Sequence, residues 1–236
     1  MLRSLPLVAL LGGLILSASA QAVDIDPATY GYPITNPFEA TIATTPPEMR
    51  PLLPNQDDIR QSDYSLKLRP EREFTLPANF WAVKKLTYRM AKQDHPAPLM
   101  FLIAGTGAPY DSSLNEYLKK LFYQAGYHVV QLSSPTSYDF MSAASRYATP
   151  GISQYDAEDL YRVMQAVRAQ QADVPVTEYY LSGYSLGALN AAFVSHLDET
   201  RKSFNFKKVL MLNPPVNLYT SISNLDKLVQ TEVKGI

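Results

Sequence analysis

Ser185 stands between two glycines in the stretch "GYSLG", residues 183 to 187, and its hydroxyl is the side chain here best placed by sequence to act as a nucleophile. The mostly apolar run "EYYL" precedes the stretch and the helical pattern "ALNAAFVSHL" follows it, so the serine falls on a turn from strand to helix. Such a turn strains its serine, with a positive φ, above the end of a sheet. The flanking positions must be small because neighbouring strands pass close by. Gly183 and Gly187 meet that demand. The following helix aims its free N–H groups and positive dipole end at the same spot, making the Leu186 N–H the first donor to a developing oxyanion. A second donor is expected from "IAGTGAPYDSS", where Gly105 and Gly107 allow close backbone approach and Thr106 offers its N–H. The chemistry is attack on an acyl carbonyl, with the resulting anion held by two backbone groups.

These residues need a frame. Leu99 to Ile103, Val129 to Leu132, Glu178 to Leu181 and Val209 to Leu212 are short, mostly apolar runs separated by helix-sized intervals, as in buried parallel strands. "EREFTLP" and "KKLTYRMAK", ahead of them, read as antiparallel edge strands. Leu114, Tyr117, Leu118, Leu121 and Phe122 recur at helical spacing with Gly126 as the stop. Leu160, Val163, Met164 and Val167 define a second helix, capped by Ser153 or Asp156. The alternation predicts an α/β domain, its mainly parallel sheet covered by helices on both faces.

The constellation resembles the α/β-hydrolase family of serine esterases, lipases and related acyl hydrolases, from about Glu71 to the end of the chain. Its strongest element is Gly183, Tyr184, Ser185, Leu186 and Gly187 in strand–turn–helix context. Its weaker one is Ala104, Gly105 and Thr106, where many relatives have histidine then glycine before the oxyanion residue. The resemblance implies an α/β-hydrolase fold with Ser185 as nucleophile, Leu186 and Thr106 as oxyanion donors, and an ester or other acyl bond in a small-molecule or lipid substrate. No metal or cofactor is implied.

In that family the acid and then the histidine follow the nucleophile, and here neither is found in place. His95 and His128 lie upstream. His196 follows Ser185 but sits eleven residues along a helix, about 16 Å away at 1.5 Å per residue, whereas a base must come within about 3 Å. Asn213 occupies one position where some relatives carry the acid, and Asp226 lies in the apparent opening helix of a cap, from about residue 214. The chain is expected to lack the fold's last strands and the loops that complete the triad, either as a fragment of a longer hydrolase or as a natural product without the triad. The alternative function is a noncatalytic binding or scaffold protein of the cell envelope.

Composition narrows the setting. Twenty-one Lys and Arg against 22 Asp and Glu leave a net charge of -1, without the basic footprint of a nucleic-acid binder. "AGTGAP" lacks the third glycine of a dinucleotide fingerprint, and no phosphate-loop lysine or paired-cysteine metal motif occurs. Residues 1–22 read as a signal peptide, with Arg3, an apolar run to Leu16 and cleavage after Ala20 or Ala22. The absence of cysteine excludes a lipid-modified cysteine, and the expected location is periplasmic or secreted, without a membrane anchor after cleavage. Residues 23–63, with seven prolines, read as an extended arm that covers the body, binds a partner or does neither, and 64–236 as the hydrolase domain.

Overall fold

The computed structural model describes residues 31, 33–43, 45–68, 85–147 and 149–233. The signal segment 1–22 and the strand expected at "EREFTLP" lie outside these. Two compact units divide the chain, Met1–Pro51 and Leu52–Ile236. In the first, helix α1 (Pro37–Ala43) is capped by Asn36, whose side-chain oxygen accepts the Glu39 N–H at 3.2 Å. A 3-10 turn spans Pro47–Met49. The segment read as extended therefore holds helical turns.

Among the described residues, the second unit is built on a six-stranded sheet, in the order β1-β2-β4-β3-β5-β6. The strands are β1 (Gln61–Leu66), β2 (Leu86–Ala91), β3 (Ala97–Ile103), β4 (His128–Leu132), β5 (Val176–Tyr184) and β6 (Val209–Leu212). Only β2 runs against the others: it is antiparallel to both β1 and β4, while β4, β3, β5 and β6 pair in parallel. So β2, expected at an edge, is interior, and the edge is β1, which begins within the segment read as arm. Its sequence, QSDYSL, buries only Leu66 fully, as suits a strand with one side in water.

Side chains alternate across the sheet. Leu99, Phe101, Ile103, Val130 and Leu132 point into one core with α3 (Tyr138–Ala143), α4 (Ser153–Gln170) and α5 (Leu186–Arg201). Leu102 and Val129 point the other way, where α2 (Ser113–Gln124) supplies Leu118 and, partly buried, Leu121 and Phe122. Gly126 follows α2 with φ 88°. The buried face of α2 is rotated from the one its apolar spacing predicts. Leu114 and Tyr117 are 44% and 42% exposed, while Asn115 and Lys119 are fully buried. The reason is ionic: the Lys119 ammonium finds Glu116 at 2.5 Å and the Gln61 amide oxygen at 2.6 Å, so the lysine is buried with partners.

At the N-terminus of α4 neither expected cap operates. Ile152 is the cap residue, and the Asp156 carboxylate accepts the Gly151 N–H at 2.8 Å instead. β6 forms the second edge, with Leu210 and Met211 half-exposed. After it, α6 (Leu218–Val233) turns Tyr219, Ile222, Leu225, Leu228 and Val229 to solvent. No helix among the described residues is long and apolar enough to cross a membrane.

Candidate active site

Ser185 links β5 to α5 with φ 52° and ψ −126°, a region that costs a non-glycine residue about 1 to 3 kcal/mol. The turn is held on both sides. The Ser185 N–H donates to the Leu212 carbonyl at the end of β6 (2.9 Å), and the Ser185 carbonyl accepts the Ala188 N–H (3.0 Å). The serine is exposed, while Gly183, Leu186, Gly187 and Ala188 around it are buried.

The two framing glycines are required by close backbone approach. A Cβ on Gly183 would collide with the Gly187 carbonyl and lie 2.8 Å from the Ala188 nitrogen. One on Gly187 would collide with the Ile103 carbonyl oxygen and lie 2.5 Å from that of Ala104. The start of α5 is thus seated on the end of β3. The Leu186 N–H opens that helix, where no preceding turn supplies a carbonyl.

The loop after β3 comes to the same place: a Cβ on Gly105 would lie 3.3 Å from Ser185 Cβ. Gly105 to Ala108 form a turn closed by the Ala108 N–H on the Gly105 carbonyl (3.1 Å), with Gly107 at φ 69°. Thr106 is its exposed leading residue. The loop is fastened to the segment after β4. The Gly107 N–H donates to Thr136 Oγ1 (2.7 Å), the Ser134 N–H to the Ala108 carbonyl (3.0 Å) and the Tyr110 N–H to Ser133 Oγ (2.9 Å). Ser133 Oγ in turn donates to Asp139 Oδ2 at 2.7 Å.

Farther along the loop, the Tyr110 hydroxyl donates to Asp63 on β1 (3.0 Å), and Asp63 is gripped by both Nε and a terminal nitrogen of Arg89 on β2. The hydrogen bonds and charge of Arg89 hold the Asp63 carboxyl below its ordinary range against the opposing effect of partial burial. Burial, and then Asp63 itself, push the Tyr110 hydroxyl up to about 12. Tyr110 and Tyr184 are both half-buried. This polar bracing went unread in the sequence, since its members are up to 47 residues apart and follow no period.

None of the three histidines joins Ser185. His95 is exposed beside Asp94 (2.7 Å), and His196 is 79% exposed on α5 beside Glu199 (3.2 Å), in solvent rather than at the margin of the packed face. His128 opens β4. Its Nδ1 accepts the Gln93 N–H (3.0 Å) and its Nε2 faces the Pro175 carbonyl (3.3 Å), while burial lowers its pKa. It pairs with Leu99, whereas the elbow follows Gly183 at the level of Ile103, about 13 Å farther along the sheet at 3.3 Å per residue. Asp226 is exposed on α6, and Asn213 follows β6 with φ 49°. Among the described residues no group of three or more His, Cys, Asp or Glu is set to hold a metal ion.

No protein-family model matches the sequence, and no curated protein matches it. Solved structures do. Brefeldin A esterase, described as a bacterial homologue of human hormone-sensitive lipase, superposes with a TM-score of 0.50 at 15% identity, over 81% of this chain and 51% of that one. A thermostable esterase from Pseudomonas putida gives 0.48 at 12% identity over 69% and 46%, and an esterase from Pyrobaculum calidifontis 0.47 at 17% over 70% and 48%. The chain spans about half the length of these relatives. The superposition on brefeldin A esterase takes in four-fifths of the chain, and with the mostly parallel sheet and its helices on both faces it establishes that this chain has the α/β-hydrolase fold.

Proposed function

We propose that the protein carrying this chain is an exported serine hydrolase that cleaves an ester or another acyl bond. One observation carries the reading: Ser185, exposed in an elbow whose Gly183, Leu186, Gly187 and Ala188 are buried, is held at φ 52° directly beside the loop after β3. This placement presents a hydroxyl next to backbone that can donate hydrogen bonds to a developing oxyanion. Brefeldin A esterase agrees in fold. Export is inferred from residues 1–22 alone.

In the proposed reaction Ser185 Oγ attacks the acyl carbonyl as its proton passes to a base. The tetrahedral oxyanion accepts hydrogen bonds from the Leu186 and Thr106 N–H groups, and collapse expels the leaving alcohol, which takes up that proton. Water then attacks the acyl-enzyme by the same route, releasing the acid and restoring Ser185. The three histidines of this chain are placed elsewhere, so none of them is assigned as that base. These steps draw on no metal or cofactor.

The test is an alkyl fluorophosphonate applied to the intact protein while hydrolysis of p-nitrophenyl acetate is followed. One adduct, mapped by mass spectrometry to the peptide containing Ser185 and formed in proportion to the activity lost, is the expected result. Hydrolysis that survives full labelling, or an adduct elsewhere, refutes the assignment. An intact protein that neither reacts nor hydrolyses supports the scaffold reading. For export, N-terminal sequencing of the mature protein is expected to begin after Ala20 or Ala22, and recovery of Met1 would refute it.

A further inference from the structure

Ser112 is the N-cap residue of α2, where a serine hydroxyl ordinarily accepts a hydrogen bond from an N–H of the helix's first turn. It makes no such bond. Its Oγ lies instead 3.0 Å from the hydroxyl of Tyr184, 72 residues away in sequence. The same tyrosine meets the other end of the loop, for a Cβ on Gly105 would lie 2.6 Å from Tyr184 Cε2 and 3.0 Å from Cδ2. Tyr184 therefore touches both ends of 105–112, the segment that includes Thr106, and it is bonded covalently to Ser185.

We propose that Tyr184 is a positioning residue, a rigid strut that ties the loop after β3 to the elbow so that the Thr106 and Leu186 N–H groups converge on the oxyanion formed at Ser185. The proposal rests on the serine-hydrolase reading. Oxyanion donors act over a window of about 2.7 to 3.1 Å, and a misplacement of about 1 Å is enough to lose much of their effect. Gly105 and Gly107 give Thr106 a pliable setting. The bonds from Thr136, Ser134 and Ser133 hold the loop from the β4 side. Tyr184 alone among these residues belongs to the elbow, so it registers one donor against the other. A tyrosine that merely packed against α2 would affect stability when altered and leave the kinetics alone.

Tyr184→Phe keeps the ring and removes the hydroxyl. In the intact protein it is expected to lower kcat for p-nitrophenyl acetate on the order of tenfold while KM stays within about twofold, because the donors act in the transition state. Affinity for phenylboronic acid is expected to fall by a similar factor, since Ser185 Oγ adds to its trigonal boron, the hydroxyl proton passes to the base, and the negatively charged tetrahedral adduct presents a boron-bound oxygen to the same donors. Ser112→Ala should reproduce the loss, and the double variant should lose no more than either single one. Ser112→Ala also reports by itself if Tyr184→Phe fails to fold. A wild-type kcat in both foldable variants, or effects that multiply in the double variant, overturns the strut. If Ser185→Ala retains full esterase activity, the serine-hydrolase reading itself falls. If Ser185→Ala is inactive and Tyr184→Phe is not slowed, only the strut falls.

Discussion

Ser185→Ala is expected to reduce acyl-ester hydrolysis by the intact protein by at least about a thousandfold while leaving its thermal unfolding nearly unchanged. Backbone donors that remain after loss of the nucleophile can sustain residual catalysis of roughly a thousandfold over water, so the variant should be slow but measurably above background. Its stability should barely move because the Ser185 hydroxyl is exposed, while its backbone bonds to Leu212, Ala188 and Leu189 survive the change. Ser185→Gly supplies the complementary measurement. Glycine tolerates φ 52° without steric strain, so this variant should be at least as stable as Ser185→Ala and equally inactive. Such a pair of results would identify the strained residue as one kept for chemistry. Undiminished turnover by Ser185→Ala would move the nucleophile elsewhere.

Gly187→Ala is expected to be strongly destabilising, lowering stability by about 3 kcal/mol or more and the unfolding midpoint by roughly 6 °C or more. The added methyl would be driven into two consecutive carbonyls, those of Ile103 and Ala104. Both belong to backbone that can yield little: Ile103 pairs with Leu132 on one side and Gly183 on the other, and the Ala104 N–H donates to the Leu132 carbonyl. Relief can come only by lifting α5 off the sheet, which drags Ser185 and Leu186 with it. Fluorophosphonate labelling should therefore fall together with the midpoint. A calorimetric midpoint within a degree or two of wild type would contradict the described seating of the helix.

Much of this was legible in the sequence where burial is two-sided. β3 and β4 announce themselves because strands covered on both faces are mostly apolar, β5 and β6 by shorter apolar runs although β6 lies at an edge, and the elbow because its glycines answer a local steric demand. β1 did not, since QSDYSL lies at an edge where one apolar residue suffices. α3 did not either: six residues are too few to establish a helical period, and Phe140 anchors it by packing that only the fold supplies. The face of α2 was misjudged because spacing locates apolar residues without revealing that Lys119 has Glu116 and Gln61 waiting inside. The Ser112 and Tyr184 pair, the Asp63 and Arg89 grip and the Thr136 contact join residues distant in the chain, and residue types alone do not encode such meetings.

The position of β3 also sets a timetable. Its neighbour on one side, β4, begins 25 residues after Ile103, but β5 on the other completes only some 80 residues on, an interval on the order of ten seconds at ordinary rates of synthesis. Throughout that interval a strand whose residues are all buried in the finished protein, apart from Pro98, has one flank unpaired. Pairing of β3 with β4 is possible early, whereas the hydroxyl of Ser185 gains its surroundings only when Gly187 settles on the carbonyls of Ile103 and Ala104. The elbow at Ser185 is thus among the last parts of this sheet to assemble, and growth of the chain passes through a phase in which an apolar strand waits for one of its two neighbours.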